Sequence, residues 1–530
     1  MRAGTIRDKR RNILVAALAG LLLAELAAAM VSTARAQTPT VDEPVYVGTA
    51  TLYVQQHRLA YNFEHPPLGK LIIAAGVAFA HPRLDPAFTG TQEDLGRHLL
   101  YESGNDPDRL MFLARLPMIV LTLLFGLVVF AFARDLTGMG GGLVALALFA
   151  FLPDVIANGA LATLDVPAAG FLLTAVWLLW RARTRPRLYL PLAGLALGAA
   201  VATKMNALAA APVLLGLAVL AGRRWTERLA YPAGVALIGI AVVWLSYLAV
   251  DRRLRWTTPA DLPPVHGLRA ALLDALPLPR PFRDGLRLQF GFEDTVWGGF
   301  LFGHAYYGSR WYYLPAALLV KSPLGAIVLW LGGAAVVLAV KRLRPAAPYV
   351  LLTPAVLLAV DLHGSRDLGV RYAIVVPVFL TVAAAGVARL RWQWAPVVVA
   401  ALAAFVAASS LRAYPYYLTY SNEAFGGPPK TYRYLHDSNV DWGQDLGRLA
   451  DRLHEKYPGQ RVWLVFKGGG VPSYYGIDAA DPLTVPESQV HGLLVVSNTE
   501  RDRADAHLAD LIGSSTRLED VGHSITIFQR

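Results

Sequence analysis

The feature that most constrains this chain is a series of long apolar stretches separated by short polar connections. A helix needs about 20 mainly apolar residues to cross a bilayer, and only 16% of the residues are charged, against roughly 25% in a soluble domain. The sequence therefore predicts an α-helical polytopic membrane protein with about eleven transmembrane helices. The candidate spans lie near residues 12–32, 111–133, 139–157, 162–180, 188–203, 206–221, 230–249, 313–340, 348–361, 370–388 and 395–412.

Positive charge is concentrated in the connections on one side of these spans. The chain carries a formal net charge of +11. Cytoplasmic connections are enriched in lysine and arginine, which also attract anionic lipid head groups, so the charge needs no nucleic-acid partner. A cytoplasmic N-terminus places all five basic clusters on that side. They are MRAGTIRDKRR (1–11), RARTRPR (181–187), GRRWTER (222–228), KRLR (341–344) and RLRWQ (389–393).

Two long loops and the tail are then predicted to be extracytoplasmic. The loops cover residues 33–110 and 250–312 of a transmembrane domain that spans 1–412. The first apolar stretch has a second interpretation, because the A-x-A pattern in STARAQ (32–37) is typical of a cleaved signal peptide. Its length favours a retained span, and the loop after it is extracytoplasmic in both cases.

The tail, residues 413–530, is predicted to be a soluble α/β domain. It is more polar than the rest, and its apolar patterns are shorter. KGGGVPSYYG (467–476) lacks the P-loop pattern and is predicted to be a turn. The absence of cysteine from the whole chain excludes disulfides and thiolate metal sites. The predicted strands are RVWLVF (461–466), GLLVVS (492–497) and SITIFQ (524–529), and the predicted helices are VDWGQDLGRLADRLHEKY (440–457) and ERDRADAHLADLIG (500–513).

Charged residues from distant loops are predicted to meet on the outer face. Such groups at a membrane edge are costly, so they are the first candidates for function. They are Asp42, Glu43, Glu64, His65 and Lys70 in the first loop, Asp165 after the third span, Lys204 after the fifth, and Lys321, Arg366, Asp367 and Arg371 near later spans.

Each of these residues also has a purely structural interpretation. Asp42 and Asp165 are placed to cap helices. His65 precedes two prolines and is suited to a rigid turn. The basic residues Lys204, Lys321 and Arg371 are placed to reach lipid phosphates.

Taken together, the set suits glycosyl transfer from a lipid phosphate. A carboxylate accepts the proton of an acceptor hydroxyl. The anomeric carbon gains oxocarbenium character, as in glycoside hydrolysis. Lysine and arginine stabilise the departing phosphate in a site that excludes water.

The chain also resembles a known superfamily, the dolichyl-phosphate-mannose–protein mannosyltransferases and the related aminoarabinose transferases. The resemblance implies a GT-C fold, a bacterial inner-membrane enzyme, and inverting transfer from a polyprenyl-phosphate sugar to a glycan, lipid or protein. No β-trefoil insert like that of the eukaryotic protein mannosyltransferases fits this sequence. The matching blocks are VDEPVYVG (41–48), NFEHPPLGKLIIA (62–74), NGALATLDVPAAGFLL (158–173), GLALGAAVATKMNAL (194–208), GSRWYYLPAALLVKSPLG (308–325), GVRYAIVVP (369–377) and YLTYSNEAFGGPPKTYRYLHDSNVDWGQDLGRLA (417–450).

The resemblance implies a role for each matching residue. Asp42 corresponds to the catalytic carboxylate, Glu43 shapes the site beside it, and Asp165 is the second-loop acid. The residues implied to bind the donor and its phosphate are His65, Lys70, Lys204, Arg371 and, as a weaker case, Lys321.

Three alternatives remain open on the residues alone. A transporter also combines many spans with intramembrane charges, although it tends to show inverted repeats; a scaffold would not need convergent charges. No cofactor is expected to be required. A divalent ion, Mn²⁺ or Mg²⁺, is the alternative, with Asp42, Glu43 and His65 as ligands.

In the tail, DSNVDWGQDL (437–446) is suited either to a helix start or to sugar binding, with Trp442 stacked on a sugar or packed.

Overall fold

The computed structural model describes the backbone of residues 2–530 and the side chains of residues 9–530. Side chains of the first basic cluster before residue 9 therefore lie outside the described part. The helices up to residue 250 are α1 (Arg2–Ala36), α2 (Glu43–Gln56), α3 (Pro67–Val77), α4 (Gln92–Arg97), α5 (Pro107–Thr137), α6 (Met139–Ala150), α7 (Pro153–Gly159), α8 (Asp165–Ala182), α9 (Pro186–Thr203), α10 (Ala211–Val219) and α11 (Trp225–Val250). Those after it are α12 (Gly267–Ala275), α13 (Arg280–Asp294), α14 (Tyr313–Lys321), α15 (Leu324–Ala339), α16 (Thr353–Asp361), α17 (Val375–Ala384), α18 (Ala395–Arg412), α19 (Leu446–Lys456), α20 (Asn498–Asp502) and α21 (Ala506–Gly513).

The predicted class, a helical polytopic membrane protein, is confirmed, but eleven spans are not. Five helices of the described chain are long and apolar enough to cross a membrane, or up to seven if each bent pair forms one span. The five are Lys9–Ala36, Pro107–Thr137, Pro186–Thr203, Trp225–Val250 and Ala395–Arg412. Other predicted spans are helical but shorter, such as Val375–Arg389.

Two predicted spans are bent at proline. The α6–α7 pair turns by 62° just before Pro153, and the α14–α15 pair turns by 116° just before Pro323. Proline lacks a backbone N–H and disfavours helix in the residue before it, so it marks the start of the second helix in both pairs. The bends account for the difference between continuous apolar sequence and continuous helix.

The first long loop folds into helices that pack on the membrane domain. Helix α2 packs on α3 and α4, and α3 packs on α5. Their shared apolar core includes Val47, Ile73, Leu99 and Met111, all essentially buried. This packing fixes the start of α2, where Asp42 lies, against the ends of the long helices.

The C-terminal region contains a five-stranded sheet of order β4-β3-β5-β7-β6. Strands β4, β3 and β5 run parallel, while β7 pairs antiparallel with β5 and β6. Three predicted strands are confirmed as β3, β5 and β7; β4 and β6 were not predicted. The strands are β1 (Gly298–Leu301) and β2 (His304–Tyr307), a separate hairpin in the second long loop, then β3 (Val462–Val465), β4 (Ala479–Ala480), β5 (Leu493–Ser497), β6 (Thr516–Val521) and β7 (Ile525–Gln529).

The tail helices differ in detail from the prediction. Helix α19 begins only at Leu446, so residues 440–445 precede it in irregular backbone. The second predicted helix is divided into α20 and α21. The predicted turn at 467–476 follows β3 and contains a short 3-10 helix, Pro472–Tyr475.

Candidate active site

Asp42 sits immediately before α2, but it does not cap the helix. Its side chain makes no capping hydrogen bond. Instead its Oδ2 accepts a hydrogen bond from Arg371 Nη1 at 2.7 Å, and its side chain stays 27% exposed. The helix-cap interpretation is therefore wrong, and the carboxylate remains open to a ligand.

Arg371 connects the two acids of the site. Besides Asp42, its Nη1 lies 3.8 Å from Oδ2 of Asp165. Its guanidinium carbon lies 4.2 Å from the ring centroid of Trp442. Its buried Nε has no hydrogen-bond partner within the described chain. A buried guanidinium with an unused donor is suited to an oxyanion.

Asp165 and Lys204 form the second ion pair. Asp165 begins α8 and Lys204 directly follows α9. The Lys204 ammonium donates to Asp165 Oδ1, and both side chains are more than nine-tenths buried. Asp165 is the first residue of α8 rather than its cap, since Leu164 occupies the capping position. These contacts replace the lipid-facing orientation that was the alternative for Lys204.

A cavity of about 570 Å³ opens beside these pairs. The second long loop forms one wall through α13, and the first loop forms another through Glu64 and His65. Ligand pockets typically have volumes of about 300–1,000 Å³, so this one is large enough for a sugar and a phosphate. Its polar lining includes Asp42, Glu64, His65, Gln289, Glu293, Asp361, Lys204, Arg366 and Arg371.

Glu43 turns away from the cavity. Both its oxygens bind Arg115, at 2.7 Å to Nε and 2.6 Å to Nη2, and Oε1 also accepts from the Ala162 N–H. Burial alone raises the pKa of Glu43, but the Arg115 pair and the backbone donors hold it below its usual value. Glu43 therefore holds the first loop in place and is not placed to touch a substrate, which does not support its predicted place in the catalytic set.

Arg115 was not singled out by the sequence reasoning. It is 1% exposed. In addition to Glu43 it donates to three backbone carbonyls, those of Ala34, Gln37 and Thr38. An arginine inside the apolar stretch LMFLARLPM (110–118) was the available signal, because a charge in such a stretch usually has a buried partner.

His65 and Lys70 have different positions although they share one motif. His65 lines the cavity, and its buried Nδ1 has no partner among the described residues. Burial, with Lys204 and Lys70 nearby, holds its pKa well below the usual range, so the ring is neutral. Lys70 is fully buried and donates to carbonyl oxygens of Asn62 and His65. It holds the loop and does not reach the cavity, which corrects its assignment to the donor phosphate.

Lys321 is also engaged elsewhere. It ends α14 at the sharp bend, and it is 1% exposed. Its ammonium donates to the carbonyls of Leu418 at 2.7 Å and Asn439 at 3.0 Å, and lies 3.6 Å from Asp154. Lys321 therefore links the end of α14 to α7 and to the tail, and the prediction that it binds phosphate is not supported.

A segment of the tail, residues 436–446, completes the site and is called the junction segment below. The carbonyl of Trp442 accepts from the N–H of Val41, and that of Gln444 accepts from Thr38. Trp442 is 1% exposed and lies under Arg371. Of its two predicted roles, packing is the observed one.

The part of the chain that the structure describes contains no group of three or more His, Asp or Glu side chains arranged to hold a metal ion. Two of the three predicted ligands, Asp42 and Glu43, bind arginines instead.

Part of the chain is similar to a known protein family. Residues 108–247, about a quarter of the chain, match the family described as dolichyl-phosphate-mannose-protein mannosyltransferase. Among curated proteins none matches the chain significantly.

Solved structures show the fold. ArnT from Cupriavidus metallidurans bound to undecaprenyl phosphate matches with a TM-score of 0.51 at 16% identity, over 97% of this chain and 97% of that one. ArnT from the same organism in the apo state gives 0.49 at 15% identity over 98% of both chains. The Archaeoglobus fulgidus oligosaccharyltransferase in complex with Zn and sulfate gives 0.44 at 16% identity, over 82% of this chain and 55% of that one. Of these three scores only the first exceeds 0.5, and at 16% identity it indicates a shared fold.

The chain therefore has the helical membrane fold seen in ArnT, and residues 108–247 are similar to the mannosyltransferase family.

Proposed function

We propose that the protein transfers a sugar from a polyprenyl-phosphate donor to an acceptor hydroxyl, with inversion at the anomeric carbon, on the outer face of the cytoplasmic membrane. The observation that carries this proposal is the cavity of about 570 Å³, in which Asp42 contacts Arg371 and Lys204 contributes a second cation to the lining. A carboxylate next to two cations matches the two needs of the reaction, a proton acceptor and an anion site.

Asp42 acts as the base. The acceptor hydroxyl gives its proton to the carboxylate while its oxygen forms a bond to the anomeric carbon. The bond from that carbon to the phosphate oxygen breaks, and the electron pair leaves with the polyprenyl phosphate. Asp42 is suited to this role because its side chain reaches the cavity, whereas both oxygens of Glu43 are bound by Arg115.

Arg371 and Lys204 hold the phosphate. Without a donor, Arg371 binds Asp42 and lies near Asp165. A donor phosphate offers a stronger acceptor for the guanidinium, including its unused Nε. Its arrival would therefore draw Arg371 away from Asp42 and free the carboxylate oxygen for the acceptor hydroxyl. In this scheme the base becomes available when the donor is in place.

A lipid-borne donor suits a site at the ends of membrane helices. Asp165 and Lys204 lie at the ends of α8 and α9, so the cavity is at the edge of the helical domain. The ArnT structure with the same fold holds undecaprenyl phosphate, which supports a polyprenyl phosphate as the carrier here.

The test is donor consumption by the purified protein in nanodiscs. A panel of polyprenyl-phosphate sugars is incubated with the wild type and with Asp42→Asn, and loss of donor is followed by mass spectrometry. We expect one donor to be consumed, and the nearly isosteric variant to lose transfer by about 10²–10⁴-fold while keeping its thermal stability. Wild-type turnover in Asp42→Asn would contradict the role of Asp42. Transport of the donor without cleavage would favour a transporter.

The need for a divalent ion is tested in the same assay. Donor consumption is compared before and after dialysis against a chelator, and again after Mn²⁺ or Mg²⁺ is added back. Loss and recovery of turnover would show that a metal takes part. The partly exposed carboxylate of Asp42 would then be a candidate oxygen ligand.

A further inference from the structure

A second large cavity lies at the opposite end of the helices from the candidate active site. Helices α8 and α9 each contain 18 residues, which corresponds to a length of about 27 Å. Asp165 and Lys204 mark their active-site ends, while Arg181 and Arg185 mark the other ends. The cavity there has a volume of about 870 Å³. It is a separate site because a full helix length divides it from Asp42.

Its lining is strongly basic and comes from three separate connections. Five arginines face a single aspartate, Asp135. They are Arg181 in the last turn of α8, Arg183 and Arg185 between α8 and α9, Arg223 after α10, and Arg342 after α15. The general preference for basic residues on one side of a membrane explains their number. It does not explain why three connections meet around one cavity.

Part of this lining is held rigidly. Arg181 binds Asp135 through Nε at 2.7 Å and Nη2 at 3.1 Å, and it donates to the Tyr189 hydroxyl. Trp177 donates to the same aspartate at 2.9 Å. Arg183 lies over the ring of Trp180 at 4.4 Å. These contacts form a preorganised wall and engage Asp135, the one acid among the described residues of the lining.

Other arginines of the lining are left without a partner. Within the described side chains, the guanidinium groups of Arg185 and Arg342 make no hydrogen bond or salt bridge. Arg223 also makes none, although Glu227 lies nearby and binds its backbone N–H. Unpaired guanidinium groups around one cavity attract a phosphate, to which they can donate paired hydrogen bonds.

The rim of the cavity points to a lipid as the carrier of that phosphate. Leu220 lines the cavity and is exposed, and Leu188 and Trp225, next to lining segments, are exposed too. Trp180 and Tyr189 also line it. Apolar and aromatic side chains around a basic pocket are typical of a membrane interface. We propose that this cavity binds the phosphate head group of an anionic phospholipid, independently of the transfer reaction.

The test is lipid binding measured by native mass spectrometry in detergent. The full-length protein is titrated with dioleoyl phosphatidylglycerol, with dioleoyl phosphatidylcholine as the neutral lipid and inorganic phosphate as the free anion. The variant is Arg185→Gln with Arg342→Gln. The matched control is Arg389→Gln with Arg391→Gln, which removes two exposed charges from a basic cluster outside the cavity.

We expect phosphatidylglycerol to bind the wild type in preference to phosphatidylcholine. The cavity variant should bind it roughly ten- to thirtyfold more weakly, and the control variant within about twofold of wild type. Equal losses in both variants would overturn the proposal in favour of a diffuse basic face. Displacement of the lipid by millimolar phosphate would overturn the lipid part and leave a free-anion site. Because no donor or turnover is involved, failure here is distinguishable from failure of the proposed transferase activity.

Discussion

The first long loop and the C-terminal domain both bury carboxylates, but they neutralise them differently. In the loop region Glu43 is held by Arg115, and Asp42 faces Arg371. In the C-terminal domain one buried oxygen of Asp502 has no partner among the described residues, and burial raises its pKa to about 7 despite Arg501 beside it. The difference indicates that pairing with Arg115 keeps Glu43 ionised, whereas Asp502 is partly protonated near neutral pH.

The strongest way to break this contrast is Glu43→Gln. The change leaves Arg115 buried with a neutral partner, and breaking a buried pair typically costs about 3–5 kcal/mol. The pKa of Glu43 is lowered, so its contribution to stability is present above its usual value of 4.5 and is lost as the pH falls through the lowered value. We therefore expect a large loss of Tm at neutral pH that shrinks on acidification, measured by thermal unfolding in detergent.

The control for that experiment is Glu102→Gln. Glu102 forms a partly exposed ion pair with Arg97 at 3.2 Å, and exposed pairs contribute roughly 0–1 kcal/mol. A loss of Tm similar to that of Glu43→Gln would show that the buried pair stabilises the fold no more than the exposed pair does.

The next largest effect is expected for Arg371→Met. The variant removes the main phosphate donor of the proposed site and leaves Asp42 without its arginine, so kcat/KM should fall by about 100-fold or more. Turnover of the identified donor is the measurement, with Arg389→Met at the other end of the domain as the control. Retention of wild-type kcat/KM would remove Arg371 from the mechanism.

Trp442 tests whether the two regions depend on each other. It belongs to the tail but lies 4.2 Å from the Arg371 guanidinium, and we expect it to position that group for the donor. Trp442→Leu should raise the KM for the donor by about tenfold with a smaller change in kcat, since a cation over an indole ring is stabilised by roughly 1–2 kcal/mol.

Trp442→Phe should recover part of that loss, because it restores an aromatic face. A purely structural role would instead lower Tm in both variants and leave the KM of the folded fraction unchanged.

The smallest expected effect is a gain in stability from Asp502→Asn. Because burial raises the pKa of Asp502 from 3.8 to about 7, its stabilising protonation is complete below pH 3.8 and is lost as the pH rises through 7. The amide carries no charge, so the variant should be more stable than wild type at pH 8 and equal to it near pH 4. Unfolding at both pH values measures this, with the exposed Asp478→Asn as the control; a gain that is independent of pH would contradict the explanation.

The sequence was a good guide to the outer edge of the site and a poor guide to its interior. Asp42, Asp165, Lys204 and Arg371 meet as the pattern of loops predicted, because connections on one side of a helical domain must lie near one another. Which of them touch could not be read from the sequence, because the contacts depend on how distant spans pack.

Three residues whose predicted roles the structure does not support show that contacts cannot be inferred from the sequence pattern. Glu43 and Asp42 are adjacent in the chain, yet they face in different directions, since α2 begins between them. Lys70 and Lys321 carry the charge that a phosphate ligand needs, but their ammonium groups already donate hydrogen bonds to backbone carbonyls. Carbonyl positions follow from the fold and leave no mark in the sequence.

The predicted number of spans is not confirmed, for a related reason. Hydropathy reports how apolar a stretch is, whereas the direction of the helix depends on its breaks. The stretch around Pro323 is apolar throughout and was counted as one crossing, but the helices on its two sides are turned by 116°.

The contacts between Thr38, Val41 and the junction segment have a consequence for biogenesis. The N–H groups of Thr38 and Val41 are satisfied by carbonyls roughly 400 residues later in the chain. A ribosome adds residues from the N-terminus at about 5–20 per second, so the first loop must wait tens of seconds before its partners exist. During synthesis the membrane would therefore hold a chain with its helices in place and its first loop unfinished, and the loop would be completed only when the tail is made.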